Sequence, residues 1–150
     1  METSMTRMPT VGLRLEAVKD FAERVTVGMA TRDVKEVIKT VTKEWRSSYA
    51  MSLAGKMDKE GNPLLGRATT FVSHAWSYDF NDTVSALVEF EKSHPGKRLF
   101  YWFDIFVLNY HYIDDHNQAK PEDFFNDVFK STIDAVEETV QVLTPWNDPL

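Results

Sequence analysis

The stretch "KRLFYWFDIFVL", residues 97–108, is an almost continuous apolar run with one interior carboxylate, Asp104. A strand that is apolar on both sides must be covered on both faces, which is the situation of a central strand in an α/β sheet. The flanking sequence fits that reading. Upstream, "ATTFVSHAW" opens with β-branched and apolar residues and predicts a strand. Between the two, "DFNDTVSALVEFEKSHPG" predicts a helix. Asn81 or Asp82 is placed to cap it, Val84, Leu87 and Val88 follow, and His94-Pro95-Gly96 stops it. Downstream, Pro121 with Glu122 and Asp123 suits a helix start, and Phe124, Phe125, Val128, Phe129, Ile133 and Val136 continue that helix. "ETVQVLTPW" then reads as a last strand. Strand, helix, strand, helix, strand predicts a parallel sheet with right-handed crossovers.

The first half has a different texture. In "GLRLEAVKDFAERVTVGM", Leu13, Val18, Phe21 and Val25 lie at helical spacing. Thr31 is placed as an N-cap with Asp33 in the first turn. Val34, Val37, Ile38, Val41, Trp45, Tyr49 and Leu53 then form one stripe, which predicts a single long amphipathic helix over 31–55. "DKEGNPLLG" ends it as a loop. The expected organisation is an N-terminal tail and helical extension over 1–66, joined in one compact unit to an α/β domain over 67–150.

Composition narrows the functional classes. The chain has 150 residues, a net charge of −6 and no cysteine. The acidic balance argues against an electrostatic nucleic-acid partner. The lack of cysteine removes disulfides and thiolate chemistry. No apolar segment is long enough to span a bilayer, and no basic run marks a membrane surface, so a cytoplasmic location is expected. No P-loop, G-x-G-x-x-G or G-x-S-x-G text occurs.

In parallel sheets, ligands gather at the carboxyl ends of the strands. Three clusters are predicted to meet there: Ser73, His74 and Trp76 after the first strand, Asp104 and Asn109 at or beyond the end of the second, and Thr144 and Trp146 after the third. An indole face stacks well on a base or nicotinamide ring. A carboxylate inside an apolar strand, as Asp104 is predicted to be, needs a hydrogen-bond partner or a ligand. Asp104 and His74 are therefore the candidate catalytic groups. The blander alternative is a packed strand-end corner in which Trp76 fills space and His74 bonds to backbone. His74, His111 and His116 with Asp104, Asp114 and Asp115 match no metal-binding spacing, and no metal is expected. Glu89 and Glu91 are expected on a solvated helix face.

The ordered set "TTFVSHAW", "YWFDIFVLN" and "VQVLTPWNDP" resembles the Toll/interleukin receptor homology (TIR) superfamily, above all TIR-like domains of protists and algae and fungal heterokaryon-incompatibility domains. Trp102, Asp104 and Asn109 match a "W-D-x-x-x-x-N" text, and Leu143, Thr144 and Pro145 match "L-S/T-P". The resemblance covers about residues 68–150. It implies a flavodoxin-like, three-layer α/β fold used in signalling, in homo-oligomeric or TIR–TIR assembly, or in NAD cleavage, with NAD or ADP-ribose as ligand or substrate rather than a resident cofactor. The family's catalytic Glu lies in a "W-C-x-x-E" text that has no counterpart here, so the chain reads as the front part of such a domain, an interaction module or, as a third class, a small hydrolase using His74 and Asp104.

Overall fold

Two strands that the sequence does not announce organise one side of the sheet. The computed structural model describes residues 11–25, 28–111, 113, 130, 132–133, 136 and 138–142. Its strands are β1 (Val11–Leu13), β2 (Leu65–Arg67), β3 (Thr70–Ser73), β4 (Tyr101–Trp102) and β5 (Glu138–Gln141). They form one five-stranded sheet in the order β2-β1-β4-β3-β5. β3 runs parallel to β4 and to β5, as the alternation in the second half predicts. β1 runs antiparallel to both β2 and β4, so the sheet is mixed rather than wholly parallel. The segment read as a helical extension thus contributes β1, and β2 straddles the expected boundary at residue 66.

Gly12 and Gly66 are partners in the β1–β2 register. A Cβ on Gly12 would lie 2.8 Å from the Phe100 backbone, and one on Gly66 would lie 2.7 Å from the Phe100 ring. Gly12 must lack a side chain, because the backbone before β4 passes across it, whereas at Gly66 the neighbour is the Phe100 ring.

The helices are α1 (Leu15–Ala22), α2 (Thr31–Val41), α3 (Phe80–Lys92) and α4 (Asp104–Val107). α1 packs on α3 and α2 on α4. The cap of α3 is Asp79, not Asn81 or Asp82: its carboxylate accepts from the N–H groups of both of those residues.

The single long helix expected over 31–55 is not formed. α2 stops at Val41, and a 3-10 turn follows only at Ala50–Leu53. The Thr42 hydroxyl donates to Ile38 O at 2.8 Å and lies 2.8 Å from His111 Nε2, which draws the chain out of the helix. Arg46 then takes a positive φ of 47°. The apolar stripe breaks where the helix does. Trp45 is 51% exposed, while Tyr49 and Leu53 are buried by the new chain direction. Tyr49 meets Phe21 edge-on, with ring centroids 4.9 Å apart.

The apolar run 97–108 also divides. β4 is only Tyr101 and Trp102, and the chain turns at Phe103 into α4. Asp104 is therefore not inside a strand; it is the first residue of a short helix at the strand's carboxyl end. The core centres on this stretch: Tyr101, Trp102, Phe103, Ile105 and Phe106 are all fully buried. Each such side chain contributes about 1.5–3 kcal/mol by leaving water.

The predicted helix from Pro121 and the loop carrying Asp114, Asp115 and His116 lie outside the described residues, apart from a few isolated positions near the helix end. Among the described residues no helix is long and apolar enough to cross a membrane.

Candidate functional site at the carboxyl ends of β3 and β4

β3 and β4 are parallel, with Thr70 opposite Tyr101 and Phe71 opposite Trp102. Their carboxyl ends consequently lie side by side. His74 follows the last residue of β3, and Asp104 lies two residues beyond β4. Nε2 of His74 donates to Oδ1 of Asp104 at 2.8 Å. The two side chains are only 3% and 4% exposed. The same carboxylate oxygen accepts the Ile105 N–H at 2.9 Å.

Aromatic rings enclose the pair. Phe103 lies 5.0 Å from the imidazole, and Trp76 meets it edge-on at 5.3 Å. Phe71 stacks on Trp102 beneath, at 5.2 Å and 11°. A buried charge with no partner would be costly here, and the hydrogen bonds explain why this one is tolerated.

The protonation of His74 follows from opposing effects. Burial disfavours the imidazolium. The Asp104 carboxylate, through its charge and its hydrogen bond, and the Ala75 carbonyl together outweigh that, and the His74 pKa is raised. Geometry gives the same answer. With Nε2–H directed at Asp104, Nδ1 faces Ala75 O at 3.4 Å. A neutral ring would set a lone pair against that carbonyl, and only the imidazolium presents a donor on both sides.

A pocket of about 120 Å³ opens beside the pair, lined by Phe71, Val72, Ser73, His74, Trp76 and Asp104. Typical small-molecule sites run to about 300–1,000 Å³, so this one admits a single ring or a phosphate-sized group. Ser73, His74, Trp76 and Asp104 are thus brought together as expected.

Asn109 is not among the residues lining this pocket. Its Nδ2 donates to Arg46 O at 3.0 Å, bracing the turn after α2, and its Oδ1 accepts the His111 N–H. Thr144 and Trp146 lie outside the described residues. What can be seen is that β5 leads towards the same corner, since Val142 N–H donates to Ser73 O at 2.8 Å.

Sequence reasoning missed several contributors. Lys35, on α2, sits 5.6 Å over the Trp76 ring and covers one indole face. The N-terminus of α2 is tied to the 74–79 loop: Thr31 donates N–H and hydroxyl to Tyr78 O, and Arg32 N–H donates to Trp76 O. Phe103 had no signal beyond hydrophobicity. Glu91, expected in solvent, instead accepts a hydrogen bond from the Tyr101 hydroxyl at 3.1 Å. Burial raises the pKa of both groups.

Among the described residues, no group of three or more His, Asp or Glu side chains is placed to hold a metal. Compared with protein-family models, curated proteins and solved structures, the chain matches none.

Proposed function

We propose that this chain is a TIR-like signalling domain, of three-layer flavodoxin-like design, that recognises a nucleotide such as NAD or ADP-ribose at the strand-end rim. The observation that carries this reading is strand order. Counted from β3, the parallel part of the sheet, β4-β3-β5, runs second-first-third. That is how a flavodoxin-like sheet begins; such sheets bind ligands in the crevice between the first and third strands, which opens at the carboxyl end of the first. Ser73 and His74 stand at that end, beside an open pocket. The pocket holds one ring or one phosphate, and the rest of the nucleotide lies along the rim.

The role is recognition without cleavage. Breaking the nicotinamide–ribose bond passes through an oxocarbenium-like state that needs a carboxylate beside the ribose. Asp104 is engaged by His74 and Ile105 N–H. Both imidazole nitrogens of His74 are engaged too, so the small-hydrolase reading has least support. NAD added to the protein should quench or shift tryptophan fluorescence and raise the melting temperature. Trp76→Ala should abolish most of the fluorescence response, and chromatography should find no free nicotinamide. Turnover that disappears in Asp104→Asn would overturn the non-catalytic reading. No binding of NAD or ADP-ribose at millimolar concentration would overturn the nucleotide reading.

That outcome would leave a cytoplasmic interaction module that assembles with copies of itself or with other TIR-like domains, without nucleic acid or membrane. One observation favours this second reading: Val41, Trp45 and Met51, at and after the end of α2, are 43%, 51% and 52% exposed. Large exposed apolar side chains mark contact surfaces where they join in one patch. Light scattering across the micromolar range tests it, and a monomer throughout would count against it.

A further inference from the structure

A second cavity, sharing no described residue with the rim pocket, lies between α1, the 3-10 turn and the loop before β2, and it has a volume of about 470 Å³. Its floor is apolar. Ala17, Tyr49 and Leu53 are 5%, 8% and 6% exposed, and Leu64 lines the cavity with them. Met57 stands in the wall at 55% exposure, a flexible thioether able to adapt to an occupant.

The rim has the opposite character. Glu16 and Asp20 border the cavity from α1, and Asp58 and Glu60 border it from the loop. Lys59 is the one cation among the described lining residues. Asp58 is fixed in place, accepting the N–H groups of Asn62 and Glu60 at 2.9 Å each. Those bonds, that of Asn62 foremost, lower its pKa and keep it ionised. Burial raises the pKa of the Tyr49 phenol, so the floor remains uncharged.

We infer that this groove binds an amphipathic organic cation: a small molecule carrying an ammonium or guanidinium group on an apolar, ring-sized body. The volume falls within the usual range for such ligands, about 300–1,000 Å³. The floor takes the apolar body, and carboxylates on both walls meet the charge. The same carboxylates repel an anion, so the groove is set against the anionic nucleotide proposed for the rim pocket. Asp20 already pairs with Arg24 at 2.9 Å in an exposed and therefore screened contact. Glu16 likewise approaches the Arg14 Nε at 3.7 Å, so selection falls first on Asp58 and Glu60, with Glu16 adding an exposed, screened charge.

The test is amide-shift mapping of the ¹⁵N-labelled full chain with three matched probes: 2-phenylethylammonium, 2-phenylethanol and 3-phenylpropionate. The ammonium probe should shift amides of α1, the 3-10 turn and residues 57–64, leaving the 73–76 corner unchanged. Several exposed charge contacts together make it about tenfold tighter than the alcohol. The carboxylate probe should produce no shift at these residues. Glu16→Gln/Glu60→Gln changes only exposed positions, so the protein remains folded; it should bring the ammonium probe towards the alcohol's affinity, and added salt should do so partly. Equal binding of ammonium and alcohol would overturn the charge selection. Absence of shifts at the groove would overturn the site. Concentration-dependent shifts there without any probe would assign the groove to a second copy of the chain and overturn the small-molecule proposal.

Discussion

The corner at His74 and the groove beside α1 are built from the same kinds of residue and differ in how their charges are used. At the corner, one carboxylate and one imidazole are buried together and bond to each other. At the groove, apolar side chains are buried and the carboxylates stand at the edge in water. A charge in the first setting is tied to its partner; in the second it stays in water, where a ligand can meet it. Location decides the role, because the cost of burying a charge is recovered only by a fixed partner.

Separating the two halves of the corner should have the largest effect. Asp104→Ala leaves the His74 ring buried without its carboxylate and is expected to cost about 3 kcal/mol or more. His74→Phe/Asp104→Leu removes both charges and should cost less than Asp104→Ala alone, read by urea unfolding. If the double variant is the worse of the two, the pair does more than satisfy itself. At the groove, Glu16→Gln or Glu60→Gln should change stability by no more than about 0.5 kcal/mol.

Next in size is Gly12→Ala. A methyl group placed 2.8 Å from the Phe100 backbone forces strands β1 and β4 to shift, at about 1–3 kcal/mol. Gly61, with φ +84° and open space around it, is the contrast. Gly61→Ala should cost about 1 kcal/mol through backbone strain alone. Equal losses at the two sites would show that β1 yields easily.

A pH series sharpens the comparison further. The raised His74 pKa means that the folded state holds a proton that the unfolded chain releases. The stabilisation is therefore complete below the ordinary histidine pKa and is lost as pH rises through the raised folded value. Stability of the wild type should fall over that window and that of His74→Gln should not. NMR titration of the His74 ring gives the folded value directly.

A modest effect is expected at Asn109, whose amide braces the Arg46 carbonyl. Asn109→Ala should cost about 1 kcal/mol and leave the rim pocket's ligand response unchanged.

Much of the second half was legible. β3, α3, β5 and the parallel pairings follow from period, caps and alternation, and these put Ser73, His74, Trp76 and Asp104 at one rim. The first half misled because helical spacing at Leu13, Trp45 and Tyr49 is only a local pattern. Leu13 lies in a strand paired with Tyr101, far away in sequence. Trp45 leaves the apolar stripe because Thr42 bonds backward to Ile38 O and is met by His111. The run 97–108 reads as one strand because Phe103 and Asp104 carry no turn signal; the side-chain bond that holds Asp104 at the turn comes from His74, thirty positions earlier. The groove was invisible, since its floor and two walls come from separate parts of the chain.

β1 is held between β2 and β4, and its register with β4 pairs Leu13 with Tyr101. During synthesis the eleventh to thirteenth residues leave the ribosome long before the strand that must flank them. Closing a loop of that length is slow compared with forming α1 or α3, and pairings so distant in sequence lower folding rates. Until β4 arrives, β1 and β2 can form no more than a two-stranded ribbon, which is marginal alone in water. The sheet therefore closes only when β4 joins the β1–β2 ribbon to β3, and until then edges of both stay unpaired. Conditions that delay synthesis between residues 67 and 100 prolong that exposure, and misassembly with other chains would follow from the waiting time rather than from any weakness in the finished structure.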